Sequence, residues 1–189
     1  MKSYQLMCLL ISECTFKIQL PLKEVFNLKI GVISDTHDNL DAIRRAVSYF
    51  AKHATIIIHA GDVIAPFSAK IFKEANIPVY GVLGNNDGEL LTIEVFKKFG
   101  GEIKRQFNSF KIDGRRIAVM HGVIPEVIEA LILSKMYDIV ITGHTHDPKI
   151  EKNDGVLHVN PGENCGYLTG KSTIAIIDTA TLTADIIEV

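Results

Sequence analysis

The spacing of hydrophobic positions changes from segment to segment along the chain, and those changes predict its elements. From residue 28 onward, short apolar runs alternate with segments whose apolar residues recur every three or four positions. Residues 28–34 read as a buried strand. Residues 40–52 read as a helix with Leu40, Ile43, Val47 and Phe50 along one face and Asp38 or Asn39 as its cap. Residues 55–58 and 78–83 give the second and third strands, with helices near 66–75 and 90–99. After Gly100-Gly101 a two-residue alternation takes over: segments 102–107, 109–113 and 115–120, divided by turns such as Asp113-Gly114, predict antiparallel hairpins. A helix at 125–134 and a strand at 139–142 precede residues 148–189, which read as nearly all strand with turns at 153–155 and 178–183.

Strands alternating with helices imply βαβ units and a largely parallel sheet. Seven or more strands that pass from parallel to antiparallel favour two sheets. The expected fold is therefore α/β: a four-layer α/β/β/α sandwich of two mixed β-sheets flanked by helices, in one domain over residues 28–189. Residues 1–27 are expected to be an N-terminal extension. Their apolar stretch 6–11 is broken by Ser12-Glu13, is too short to span a bilayer and lacks a cleavage site. Translation beginning at Leu28 is one reading, which an intact mass including residues 1–27 would exclude.

Composition narrows the function classes. A chain of 189 residues fits a single domain with a real core. The net charge of −2 and the lack of a Lys/Arg run argue against nucleic acid or a membrane surface as partner. Cys8, Cys14 and Cys165 are odd in number, which argues against a disulfide framework and for a reducing, cytoplasmic setting. The 47% hydrophobic content leaves room for a homo-oligomeric interface.

The candidate chemistry lies in five polar sites that end apolar runs: Asp35-Thr36-His37, Gly61-Asp62, Gly84-Asn85-Asn86-Asp87, Met120-His121-Gly122 and Gly143-His144-Thr145-His146. In α/β sheets the carboxyl ends of strands are where ligands bind, so sites distant in sequence can converge on one crevice. Imidazole, carboxylate and amide oxygen suit two first-row divalent ions, which need a shared anion such as Asp62 and a bridging hydroxide between them. Two such ions, two aspartates and one hydroxide leave a net charge of about +1 for an incoming phosphate ester, and the hydroxide is expected to attack phosphorus in line.

The order Asp-x-His, Gly-Asp, Gly-Asn, His, Gly-His-x-His resembles the calcineurin-like metallophosphoesterases. Ser34-Asp35-Thr36-His37, His59-Ala60-Gly61-Asp62 and Asn160-Pro161-Gly162 are most similar to the family's small phosphodiesterase branch. The resemblance implies Asp35, His37, Asp62 and His146 on one metal, and Asp62, Asn85, His121 and His144 on the other. It also implies the four-layer sandwich and two divalent ions, Mn²⁺ or Ni²⁺ first, with Fe or Zn²⁺ as alternatives. Many members carry a His where this chain has Asn86, and that His contacts the phosphate. A positioned acid contributes about 10²–10⁴-fold, so its absence points to phosphodiesters with good leaving groups. Asp62, Asn86 and Asp87 are the candidate catalytic positions, Asp87 as an orienting carboxylate. The expected partner is a small phosphodiester. The same branch resembles the Vps29 subunit of retromer, so a non-catalytic Vps29-like interaction scaffold is the alternative, and a nuclease is disfavoured by Asn86 and the absent basic stripe.

Other residues invite blander readings. His59 and His158 sit in apolar strands and read as hydrogen-bonded structural histidines, and His53 ends a helix. Cys165 reads as a buried thiol that could sit near substrate, and Asn160-Pro161-Gly162 as a rigid turn near the metal loop.

Overall fold

The structure, a computed structural model, describes residues 28–189. The extension expected over residues 1–27, with Cys8 and Cys14, lies outside the described residues. No helix among those described is long and apolar enough to cross a membrane.

Two mixed β-sheets pack face to face. The first has β1 (Lys29–Ile33), β2 (Ile56–His59), β3 (Val79–Val82), β4 (Glu102–Lys104), β10 (Thr173–Asp178) and β11 (Thr183–Glu188), in the spatial order β11-β10-β1-β2-β3-β4. The second orders β5 (Phe107–Ile112), β6 (Arg115–Met120), β7 (Ile139–Ile141), β9 (Val156–Asn160) and β8 (Lys149–Asn153) as β5-β6-β7-β9-β8. Strands β1 to β4 run parallel, as do β6, β7 and β9, while β10, β11, β5 and β8 pair antiparallel at the flanks.

Alternation along the strands assigns the faces, because successive side chains point to opposite sides of a sheet. Ile30, Val32, Ile56 and Ile58 meet Ile117, Val119, Ile139 and Ile141 between the sheets. Ile33, Ile57 and Val79 point the other way and pack against Ile43, Val47 and Phe50 of α1 (Leu40–His53), with Phe72 and with Phe96 of α3 (Leu91–Lys97) beside them. Helix α1 is capped by Asn39, whose side chain accepts from the Ala42 N–H as expected. The fourth layer is thinner: α4 (Pro125–Leu133) buries none of its nine residues and leaves Val127 and Leu133 exposed.

Three local expectations are corrected. Segment 102–107 does not form a hairpin with its successor. Its Glu102–Lys104 part pairs parallel with β3, because Ile103 buries into the helix-facing cluster, and only β5 and β6 form a hairpin around Asp113-Gly114. Alternation reveals a half-buried strand without naming its neighbour. The helix near 66–75 is α2 (Pro66–Ala69) followed by a 3₁₀ segment, Lys70–Ala75, ended by Asn76 with φ +53°. The stretch between β9 and β10, residues 161–172, is a loop rather than strand, and it reaches back to the residues after β1.

Candidate active site

The six strands β1, β2, β3, β6, β7 and β9 end at one edge of the sandwich, and each is followed by one cluster of polar residues. Asp35 and His37 follow β1, Asp62 follows β2, residues 84–87 follow β3, His121 follows β6, His144 and His146 follow β7, and Glu163 and Cys165 follow β9. The loops cross over one another: the Asp35 N–H bonds the Gly61 carbonyl, and the Thr36 and His37 N–H groups bond the Asp62 carbonyl. Such close crossing leaves no room for side chains. A Cβ at Gly61 would sit 2.6 Å from His121 Nδ1, and one at Gly84 would collide with the Asp62 carboxylate.

Six of the seven side chains expected to bind metal gather here, all but that of Asn85. His37 Nε2 lies 3.8 Å from Asp35 Oδ1 and 3.5 Å from Asp62 Oδ2, His121 Nε2 lies 3.3 Å from Asp62 Oδ2, and His146 Nε2 lies 3.3 Å from Asp35 Oδ1. The His144 ring stands 5.1 Å from the His121 ring, and the His144 backbone N–H donates to Asp35 Oδ2 at 3.0 Å. Asn85 is exposed on the β3 loop, between Gly84, which faces Asp62, and Asn86, which bonds it. Asn86 holds the Asp62 carboxylate twice, through its backbone N–H at 2.9 Å and its side-chain amide at 2.8 Å. Asp87 accepts from the N–H groups of Asp62, Ile64 and Gly84 at 2.6–2.9 Å, so it clamps the loops after β2 and β3 together.

Several features fit a divalent cation. Asp35 Oδ1, His37 Nε2 and His121 Nε2 are buried atoms without a hydrogen-bond partner, an expensive state unless something binds them. Ligand atoms of Asp35, His37 and Asp62 lie within 4.8 Å of one another. Asp35, His37, Asp62, His144 and His146 all have φ between +40° and +72°, a strain that non-glycine residues hold mainly at functional sites.

The electrostatics point the same way. The Asp35 carboxylate beside His37 raises that histidine's pKa against the effect of partial burial. Burial lowers the pKa of His121, but neighbouring Asp62 and Asp35 more than offset it. Burial likewise raises the Asp35 and Asp62 carboxyls, and their histidine and amide neighbours bring both below the usual range. The site thus calls for positive charge.

Around these groups lies a second set of contacts. His121 Nδ1 stands 2.8 Å from the Ala60 carbonyl oxygen and His146 Nδ1 stands 2.7 Å from Glu163 Oε2. Each Nδ1 therefore carries the proton, and each Nε2 lone pair faces the carboxylates. Glu163 is fully buried and also accepts from the Leu168 and Thr169 N–H groups. Burial pushes its carboxyl up, but these donors bring it down to about 2. The sequence reading missed Glu163; its one signal was adjacency to Asn160-Pro161-Gly162. That turn does border the metal loop, since Asn160 Nδ2 donates to the Gly143 carbonyl and to Thr145 Oγ1.

The histidines set aside from catalysis have ordinary partners. His59 accepts the Gly61 N–H and faces Thr36, and complete burial lowers its pKa to about 3. His158 bonds Thr142 Oγ1. The Cys165 thiol is buried and donates to Glu163 Oε2 at 3.1 Å, and burial with that carboxylate pushes it up to about 12.

Residues 28–182 match the calcineurin-like phosphoesterase superfamily domain. The chain belongs to that family. It is 43% identical over 155 residues to phosphodiesterase MJ0936 of Methanocaldococcus jannaschii, an alignment that covers 80% of this chain and 93% of the relative. A solved structure described as a novel archaeal phosphodiesterase superposes with a TM-score of 0.82 at 41% identity, covering 86% of this chain and all of the other. Vacuolar protein sorting 29 of Cryptosporidium parvum shares the fold, with a TM-score of 0.63 at 16% identity, 87% of this chain and 98% of that one being covered. The family match and the two phosphodiesterase likenesses put the chain among the small phosphodiesterases of the calcineurin-like phosphoesterases and make it a hydrolase, while the third likeness is one of fold.

Proposed function

We propose that this calcineurin-like phosphoesterase is a binuclear metal-dependent phosphodiesterase acting on a small phosphodiester. The observation that carries the reading is the convergence of the orphaned Asp35, His37 and His121 atoms on Asp62. Asp35, His37, Asp62 and His146 would hold one ion, and Asp62, Asn85, His121 and His144 the other. Bound there, the two ions supply activation of the attacking water and charge stabilisation at phosphorus.

The chain's own residues do the rest. Asn86 fixes the Asp62 carboxylate through two hydrogen bonds, so the shared ligand does not have to find its rotamer on binding. Glu163 and the Ala60 carbonyl set the tautomers of His146 and His121. Asp87 keeps two ligand loops in register. An amide such as Asn86 does not protonate a leaving group, and the departing oxygen leaves as its anion or takes a proton from solvent. Diesters with acidic leaving groups are therefore the expected substrates.

The decisive experiment loads the metal-depleted protein separately with Mn²⁺, Ni²⁺, Fe²⁺ and Zn²⁺ and assays phosphomonoesters, bis-aryl and aryl-alkyl phosphodiesters. Turnover of diesters, fastest with two aryl groups and abolished by Asp62→Ala, is expected. Activity on monoesters alone overturns the substrate class, and equal rates on the two diester types overturn the leaving-group argument. A protein with neither stoichiometric metal nor ligand-dependent turnover is a Vps29-like scaffold instead.

A further inference from the structure

One more candidate donor stands beside two of the residues assigned to the first ion. Cys165 is 3% exposed, and its Sγ, a His37 ring nitrogen and a His146 ring nitrogen lie within 4.8 Å of one another. The same two imidazoles flank Asp35 Oδ1, at 3.8 and 3.3 Å, a fully buried oxygen with no hydrogen-bond partner. Two imidazole nitrogens and a thiol thus share one small volume, and the Nε2 atoms of the same two rings border an oxygen that lacks a partner.

The thiol is held there by design of the backbone. The Cys165 N–H donates to the Asp35 carbonyl at 3.0 Å, and the Cys165 carbonyl accepts from Asn39 Nδ2 at 2.8 Å. The preceding Asn164 N–H bonds the Ser34 carbonyl. The loop after β9 is in this way tied to the residues that follow β1, and Cys165 cannot drift from His37. Bonds of about 2.0–2.3 Å to a tetrahedral ion set ligand atoms roughly 3.5 Å apart, so a contraction of about 1 Å closes the set.

We propose that Cys165 is a conditional metal ligand: an ion that accepts thiolate, such as Zn²⁺ or Co²⁺, binds Sγ together with His37 and His146, whereas Mn²⁺ leaves the thiol protonated against Glu163. The proposal rests on the metal-dependent reading above and adds a chemical criterion by which the site tells ions apart. Softer ions take sulfur and imidazole, and Mn²⁺ takes carboxylate and water. In coordination one S–H bond is exchanged for one S–metal bond, the proton passes to solvent, and no electron is transferred. The thiolate adds a negative charge and fills a position otherwise open to water or substrate. A sulfur-bound ion therefore makes a closed centre with weaker pull on a phosphate anion.

The test uses the full chain with Cys8→Ser and Cys14→Ser, which leaves Cys165 as its one thiol. X-ray absorption of the Zn²⁺-loaded protein is expected to show a sulfur neighbour at about 2.3 Å, and the Co²⁺-loaded protein a sulfur-to-cobalt charge-transfer band that Cys165→Ser and Cys165→Ala both abolish. In competitive loading, either variant is expected to lower the bound Zn²⁺ to Mn²⁺ ratio at least about tenfold, the lower end of what losing even an outer partner of a metal site costs. Zn²⁺ with only nitrogen and oxygen neighbours, or a Co²⁺ spectrum unchanged by both variants, overturns the proposal while leaving the metal-dependent reading in place. Failure to bind any divalent ion defeats both, and metal analysis before spectroscopy separates the two cases.

Discussion

His59 and Glu163 show how single residues hold this site without being among its candidate metal ligands. A histidine with a folded pKa of about 3 stays neutral in the fold, while its unfolded counterpart takes a proton below about pH 6.5. The unfolded state then binds more protons, so the stability contributed by neutral His59 is present above pH 6.5 and is lost as pH falls towards 3. His37 and His121, with raised values, contribute the opposite sign above pH 6.5 and no slope well below it. The metal-free protein is therefore expected to lose urea resistance steadily from pH 6 to 4.5, and His59→Gln to flatten that decline. A decline as steep in the variant would contradict the assignment. For Glu163, whose carboxylate orients His146, Glu163→Gln is expected to lower affinity for the first ion by roughly 10–100-fold, measured by chelator competition. The candidate ligands themselves were legible because polar residues interrupt apolar runs. Glu163 and the clamping role of Asp87 were not, because their partners are N–H groups and a ring that only the folded chain brings near.

At the scale of elements, the loops after β2 and β3 depend on one carboxylate. Asp87→Ala removes the acceptor of three N–H groups and is expected to cost about 3 kcal/mol, since each buried donor left unpaired costs about 1–3 kcal/mol and some will find water. Denaturant unfolding of the metal-free variant measures it. The helices divide by burial. Five residues of α1 are buried, among them Phe50 at 0% exposure, whereas α4 has none. Phe50→Ala is expected to cost about 3–5 kcal/mol, and Leu133→Ala no more than about 0.5 kcal/mol. Amide exchange is expected to be faster in α4 than in α1. Periodicity located these helices to within a residue or two, because their apolar spacing is local information. It missed the partner of β4 and the break after α2, because pairing and 3₁₀ tightening are settled by what packs above them.

For the whole molecule, the legible feature was the meeting of distant sites: parallel strands in two sheets bring the five polar sites to one edge, where the cluster after β9 joins them, and the rule that ligands bind at strand carboxyl ends suffices to expect the five. The hairpin turns at 113–114, 153–155 and 178–183 were legible as well, and the long return of residues 161–172 was not. The Asp87 clamp carries a consequence at this scale. Since its three hydrogen bonds close the loops without any ion, stripping the metal with a chelator is expected to leave the Asp62, Ile64 and Gly84 amides protected from exchange, and Mn²⁺ to restore turnover with no refolding lag. Loss of that protection on chelation would show the ion to be part of the scaffold. A cage that outlasts its contents can be refilled throughout the life of the protein, so its occupancy tracks the cell's present metal supply and keeps no record of the ion available when the chain was made.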